Sequence, residues 1–267
     1  MGAIGVFDSG IGGLTVAREI VRAFPEADLV YLGDTARLPY GAKSPETVTR
    51  YALRCVEFLI EAGVEVIVVA CNTASACALP ALRAQWPHVQ IMGVVEPGAQ
   101  AAVSATRSGR IGVIGTEGTI RSGSYVRAIK ALRPDAVVAG LACPLLVPLS
   151  EVGWLNHDVT HRTLAVYLRE LLDTMASPMD ALVLGCTHYP VLKPAIRAVL
   201  SQLTPGRDIA LVDSAEAVAA TLNNTQGGTG NRRFCVTDLP DRFYGVANTF
   251  WSEPIATVEH VDITVTT

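Results

Sequence analysis

Short apolar runs alternate with stretches of helical spacing along almost the whole chain, the pattern of a parallel α/β sheet. Residues 3–7, 29–32, 64–70 and 90–94 read as strands. Between them, residues 14–24, 45–62 and a stretch near 75–85 closed by Pro87 place their apolar positions at helical intervals. After Pro97 the pattern restarts. It predicts strands at 110–114, 136–142, 181–184 and 209–212, and helices at 98–106, 122–132, 158–175, 190–203 and 215–222. Pro194 is compatible with the helix at 190–203 only in its first turn. Residues 225–231, rich in Gly, Asn and Thr, read as a mobile loop. A strand at 234–236, a helix near 241–251 and a strand near 258–263 complete the prediction.

Composition supports a buried sheet. Of 267 residues, 50% are apolar and 17% charged, so the sheet must be covered on both faces. The net charge of −4, without a cluster of Lys and Arg, argues against a nucleic-acid partner. No run is long enough to span a membrane; the longest, at 136–149, is broken by Gly140, Pro144 and Pro148. The N-terminus lacks a basic leader and a cleavage site, so a cytoplasmic location is expected. None of the six cysteines forms a C-x-x-C pair, and a chain of this size needs no disulfides.

Two of those cysteines stand where an apolar run gives way to polar residues. One run reads Val66-Ile67-Val68-Val69-Ala70-Cys71-Asn72-Thr73-Ala74-Ser75, the other Ala181-Leu182-Val183-Leu184-Gly185-Cys186-Thr187-His188-Tyr189-Pro190. In open α/β sheets, reactive groups lie at the carboxyl ends of strands. A thiol there, at the start of a helix or polar turn, is placed for chemistry as a base or nucleophile. The alternative for each is a small buried hydrophobe. Zinc held by Cys71, Cys186 and His188 is a further alternative, but the spacing fits no standard zinc pattern and no metal is expected. The segment 5–13 also resembles 112–119, in the same order relative to each cysteine. Two such echoes suggest duplicated halves, although parallel βα units converge on similar patterns.

Other segments carry polar groups at strand ends. Asp8-Ser9-Gly10-Ile11-Gly12-Gly13 lacks both the P-loop ending and the G-x-G-x-x-G fingerprint. Its carboxylate and backbone N–H donors suit an amino acid better than a nucleotide; a plain tight turn is the alternative. In Leu32-Gly33-Asp34-Thr35-Ala36-Arg37-Leu38-Pro39-Tyr40-Gly41, Tyr40 offers a hydroxyl and Gly41 an open backbone N–H. Taken alone, Asp34-Thr35 reads as a cap or turn. Glu151 reads as a strand-end or N-terminal helix charge beside a capping Ser150. His157 and His161 look like surface residues, and His88 and His260 have no chemical companions.

Together the segments 5–16, 32–41, 68–75, 110–116, 143–154 and 184–190 resemble the glutamate racemases, cofactor-independent enzymes that supply D-glutamate for bacterial peptidoglycan. Aspartate racemases share the paired cysteines but typically carry His and Glu where this chain has Ser75 and His188. The resemblance implies two similar α/β domains related by pseudo-symmetry, with the active site in the cleft between them. It implies a discontinuous first domain, residues 1–95 plus 209–267, and a second at 96–208. It also implies a two-base mechanism, in which Cys71 acts on D-glutamate and Cys186 on L-glutamate from opposite faces of the α-carbon. Asp8, Asp34, Glu151 and His188 match the auxiliary polar residues. Ser9, Tyr40, Gly41, Asn72, Thr73 and Thr187 match substrate contacts, as do Asp8 and His188, with Thr116 or Thr119 adding a hydroxyl. No cofactor is expected, since no pyridoxal-type lysine is evident. Some relatives carry an N-terminal extension linked to activation by a peptidoglycan precursor; this chain starts at the first motif, so independence from that activator is expected. Family analogy suggests a homodimer, without a residue pattern that specifies the interface. Three rival readings stay open: an aspartate or hydantoin racemase, a cysteine hydrolase working through an acyl-enzyme, and a non-catalytic amino-acid binding module.

Overall fold

Every strand among the described residues pairs in parallel with its neighbours, in one of two sheets. The computed structural model describes residues 3–175, 177–222, 228–238 and 240–263. The first half runs β1 (Ala3–Asp8), α1 (Leu14–Ala23), β2 (Leu29–Gly33), a 3-10 turn (Tyr40–Ala42), α2 (Pro45–Glu61), β3 (Val64–Val69), α3 (Asn72–Cys77), α4 (Leu79–Gln85) and β4 (Gln90–Gly93). The second half runs α5 (Val95–Ala105), β5 (Arg110–Gly115), α6 (Glu117–Ser122), α7 (Ser124–Leu132), β6 (Val137–Ala142), α8 (Leu146–Glu151), α9 (Asp158–Thr174), β7 (Ala181–Gly185), a 3-10 turn (Tyr189–Leu192), α10 (Lys193–Leu203) and β8 (Ala210–Asp213). Then come α11 (Ser214–Thr221), β9 (Arg232–Val236), α12 (Pro240–Phe250) and β10 (Glu259–His260).

The sheet orders are β10-β9-β2-β1-β3-β4 and β6-β5-β7-β8. The four strands β2-β1-β3-β4 therefore repeat as β6-β5-β7-β8, the echo read in the sequence. In both halves, the first strand of the repeat pairs with the strand that leads into a cysteine.

Alternating residues feed separate cores on the two faces of each sheet, as the apolar composition requires. Val6, Tyr31 and Val68 pack beneath α1, α11 and α12, whereas Phe7, Leu32 and Val69 pack beneath α2, α3 and α4. In the second sheet, Ile111, Val113 and Val183 face α5 and α7, and Ile114, Leu182 and Leu184 face α9 and α10. Burying each such side chain is worth about 1.5–3 kcal/mol.

Several boundaries differ from the prediction. The helix expected near 75–85 is two helices, the first starting directly after Cys71, and Pro80 opens the second. Gly123, at φ +64°, divides the helix expected at 122–132. The helix expected at 98–106 begins at Val95, with Pro97 in its first turn, where no intrahelical N–H is needed. Helix α8 was not expected, because Pro144 and Pro148 read as breakers. The strand Ala210–Asp213, placed by the expected boundary with the first unit, hydrogen-bonds to β7 in the second sheet. The final strand is reduced to Glu259–His260. Of the loop predicted at 225–231, residues 225–227 lie outside the described residues, and 228–231 have no regular structure. Among the described residues, no helix is long and apolar enough to cross a membrane.

Candidate active site

The carboxyl ends of β1, β3, β5 and β7 lead into turns that line one cavity of about 200 Å³ between the halves. Ser9, Tyr40, Gly41, Cys71, Asn72 and Thr73 line it from the first half. Glu151, Cys186, Thr187 and His188 line it from the second. Leu38, Pro39, Val147 and Pro148, given no role in the sequence reading, add an apolar wall, and Thr116, expected as a hydroxyl contact, also lines the cavity. Asp8 and Asp34 stand behind the lining, fully buried.

Cys71 holds the N-cap position of α3, where its carbonyl accepts from the Ser75 N–H at 2.8 Å. Its Sγ lies 3.4 Å from Ser9 Oγ. Burial pushes the Cys71 thiol up to about 12; the Asp8 carboxylate and Cys186 add to the shift, against hydrogen bonding with Ser9 and the Ala74 N–H. Cys71 is therefore a thiol at neutral pH. Asp8 is itself raised by burial; its carboxylate accepts from the Gly10 N–H at 2.9 Å and from Thr187 Oγ1 at 3.4 Å.

Cys186 has a different neighbour. His188 Nδ1 lies 3.9 Å from its Sγ, and His188 Nε2 lies 3.1 Å from Glu151 Oε1. Burial opposes the charged imidazolium, but hydrogen bonds to Cys186 and Glu151 outweigh it and hold His188 up to about 10. Three features fix that ring. A Cβ on Gly12 would lie 2.3 Å from Nδ1, so only glycine fits in the turn that leads into α1. Phe250 of α12 meets the ring edge-on, with centroids 5.1 Å apart. Ser150 Oγ donates to the carbonyls of Leu146 at 2.8 Å and His188 at 3.3 Å. Ser150 is thus an internal brace and not a cap, and Glu151 ends α8 instead of opening a helix.

The reading of Asp34 also changes. Its carboxylate accepts from Tyr40 Oη, pairs with Arg37 Nε at 2.8 Å and accepts from Thr237 Oγ1 at 2.9 Å. It caps no helix, but the turn half of the reading holds, with the Asp34 carbonyl accepting from the Arg37 N–H at 3.2 Å. The Tyr40 hydroxyl, offered to a ligand by the sequence reading, is spent on Asp34. Thr35 meanwhile bonds Asp238 through both its donor and its acceptor. Arg37, Thr237 and Phe250 were not singled out from the sequence. Thr237 follows a strand in the manner of Cys71 and Cys186, which is the one signal that points to it.

Hydroxyls also bridge the halves. Thr73 Oγ1 lies 2.8 Å from Thr116 Oγ1 and 3.3 Å from Thr119 Oγ1. Thr15 Oγ1 donates to the Thr187 carbonyl at 2.9 Å. All six cysteines are free. Among the described residues, no three His, Cys, Asp or Glu side chains are grouped to hold a metal ion. The site therefore offers two thiols from opposite halves, one beside a carboxylate and one beside an imidazolium, around a small cavity rich in hydrogen-bond donors.

Residues 4–222 match the Asp/Glu/Hydantoin racemase family. A glutamate racemase of Geobacter metallireducens is 49% identical, over 98% of this chain and 97% of that protein. The crystal structure of glutamate racemase isoform RacE1 from Bacillus anthracis superposes with a TM-score of 0.89 at 37% identity, covering 98% of this chain and 97% of that one. Glutamate racemase from Francisella tularensis, solved in complex with D-glutamate, superposes at 0.86 with 32% identity and the same coverage.

Proposed function

Because this chain belongs to the Asp/Glu/Hydantoin racemase family, we propose that it interconverts L- and D-glutamate by proton transfer between Cys71, the substrate α-carbon and Cys186. The observation that carries this reading is that two cysteines from separate sheets line one cavity, each 5% exposed. One sulfur, as thiolate, removes the α-proton and becomes a thiol. The other, as thiol, delivers its proton to the opposite face and becomes a thiolate. The carbanion between them gains stability from donors already fixed in place, including Ser9, Asn72, Thr73 and Thr187. Enclosure between the halves excludes water and strengthens those bonds.

The charges around the sulfurs support a division of labour. Cys71 is held as the thiol by burial and the nearby Asp8 carboxylate. Cys186 has the protonated His188 beside it. In the L-to-D direction Cys186 takes the α-proton of L-glutamate beside the imidazolium, and Cys71, held as the thiol, returns one to the opposite face. The D-glutamate produced would serve peptidoglycan synthesis.

Incubating D- and L-glutamate separately in deuterated water, without added cofactor, tests the reading. We expect α-hydrogen exchange and racemisation from both sides, lost in Cys71→Ala and in Cys186→Ala. Unchanged turnover in either variant would reject the two-base assignment. Binding without exchange would point to an amino-acid receptor.

A further inference from the structure

Asn72 carries one polar atom that the fold leaves unsatisfied. Its Nδ2 is buried with no hydrogen-bond partner among the described residues, and the residue is 2% exposed in the cavity wall. A buried amide N–H₂ without a partner is costly unless something else fills its need. The other end of the same amide is fixed. Asn72 Oδ1 accepts from the hydroxyl of Tyr125 at 2.7 Å. Tyr125 belongs to α7 of the opposite half, is 3% exposed, and lies outside the six motif segments singled out in the sequence.

The tyrosine sits in a slot made by glycines. A Cβ on Gly98 would lie 3.2 Å from its hydroxyl and its ring, and one on Gly185 would also lie 3.2 Å from the ring. Burial raises its pKa, so the hydroxyl keeps its proton and remains a donor. An amide has a donor end and an acceptor end of nearly the same shape, and rotation by half a turn exchanges them. Turned one way, Asn72 gives a carboxylate in the cavity a hydrogen bond. Turned the other, it presents an oxygen that repels the same carboxylate.

We propose that Tyr125 is a positioning residue for substrate recognition: by donating across the halves to Asn72 Oδ1, it holds the amide with Nδ2 toward the cavity, ready for a substrate carboxylate. The inference rests on the reading that the cavity takes an amino acid. It adds that the amide's orientation in one half is set by a hydroxyl from the other.

The test uses wild-type protein, Tyr125→Phe, Asn72→Ala and the double variant. Three quantities are read: kcat and KM for both enantiomers, D-glutamate affinity by calorimetry, and the side-chain amide signal of Asn72 in a ¹⁵N spectrum. We expect Tyr125→Phe to lower kcat/KM about ten- to hundredfold for both enantiomers, the scale of one buried hydrogen bond to a charged group. In the Asn72→Ala background the same change should cost less than about twofold. The Asn72 amide signal, assigned by its loss in Asn72→Ala, should shift in Tyr125→Phe without substrate, while the unfolding midpoint stays close to wild type. An equal cost of Tyr125→Phe in both backgrounds, or an unmoved Asn72 signal, overturns the proposal. If wild-type protein neither binds nor racemises glutamate, the reading of the site fails instead, and the ¹⁵N spectrum still decides whether Tyr125 orients Asn72.

Discussion

Each thiol answers to a different neighbour, and pH should separate them. His188 is held up to about 10, above the ordinary imidazole value of 6.5, so it is protonated through neutral pH. On the proposed mechanism, kcat/KM for L-glutamate should fall as pH rises through about 10 and the imidazolium is lost. His188→Asn should remove that limb and lower kcat from L to D about ten- to a hundredfold, with a smaller loss of kcat from D to L, while kcat/KM falls by the same factor in both directions because the equilibrium constant between enantiomers is one. Full pH–rate profiles in both directions check this, and an unaltered L-side limb in the variant would reject it. The same raised pKa stabilises the fold fully below about 6.5, and that contribution disappears as pH passes about 10. At this scale most residues of the cavity lining were legible because strand ends expose them as polar breaks in apolar runs. Tyr125, Arg37 and Phe250 were not. Each lies within a helical or loop pattern that accounts for it locally, and its role depends on a partner far away in sequence.

Secondary-structure elements reach the cavity by close approaches that leave no room for a side chain. The turn between β1 and α1 passes so near His188 that a methyl on Gly12 would collide with Nδ1. Gly12→Ala should therefore displace the ring by a fraction of an ångström or more and lower turnover about a hundredfold, the usual cost of a small misplacement. Circular dichroism should remain near wild type, whereas retained activity would show that His188 has freedom to move. Strands were legible because alternation and β-branched residues mark them over most of their length. Helix ends were less so. Gly123 and Pro80 each split a continuous apolar pattern, and the prolines around α8 concealed a helix that carries Glu151.

The two halves repeat one strand order yet are joined by dissimilar bonds. Thr15 reaches the Thr187 carbonyl, Tyr125 reaches Asn72, and Thr73 meets Thr116. A ligand seated between them should stabilise both together. D-glutamate at about one hundred times its dissociation constant should add about 2.7 kcal/mol to unfolding. Urea transitions with and without it, followed by fluorescence and circular dichroism, should shift by the same amount. A shift seen by only one probe would mean that the halves unfold separately. The repeat was legible as two faint echoes, because the strand-to-turn transitions share their chemistry. That β8 belongs to the second sheet was not, since a short buried strand carries no mark of which neighbour it will join.

The path of the chain also has a consequence for its birth on the ribosome. Phe250, which packs against His188, and β9, which covers the edge of β2, are translated after both thiols and every other residue that lines the cavity. A nascent polypeptide with both cysteines already emerged still lacks that support, so synthesis itself withholds the finished catalyst until this late segment has cleared the exit tunnel and docked.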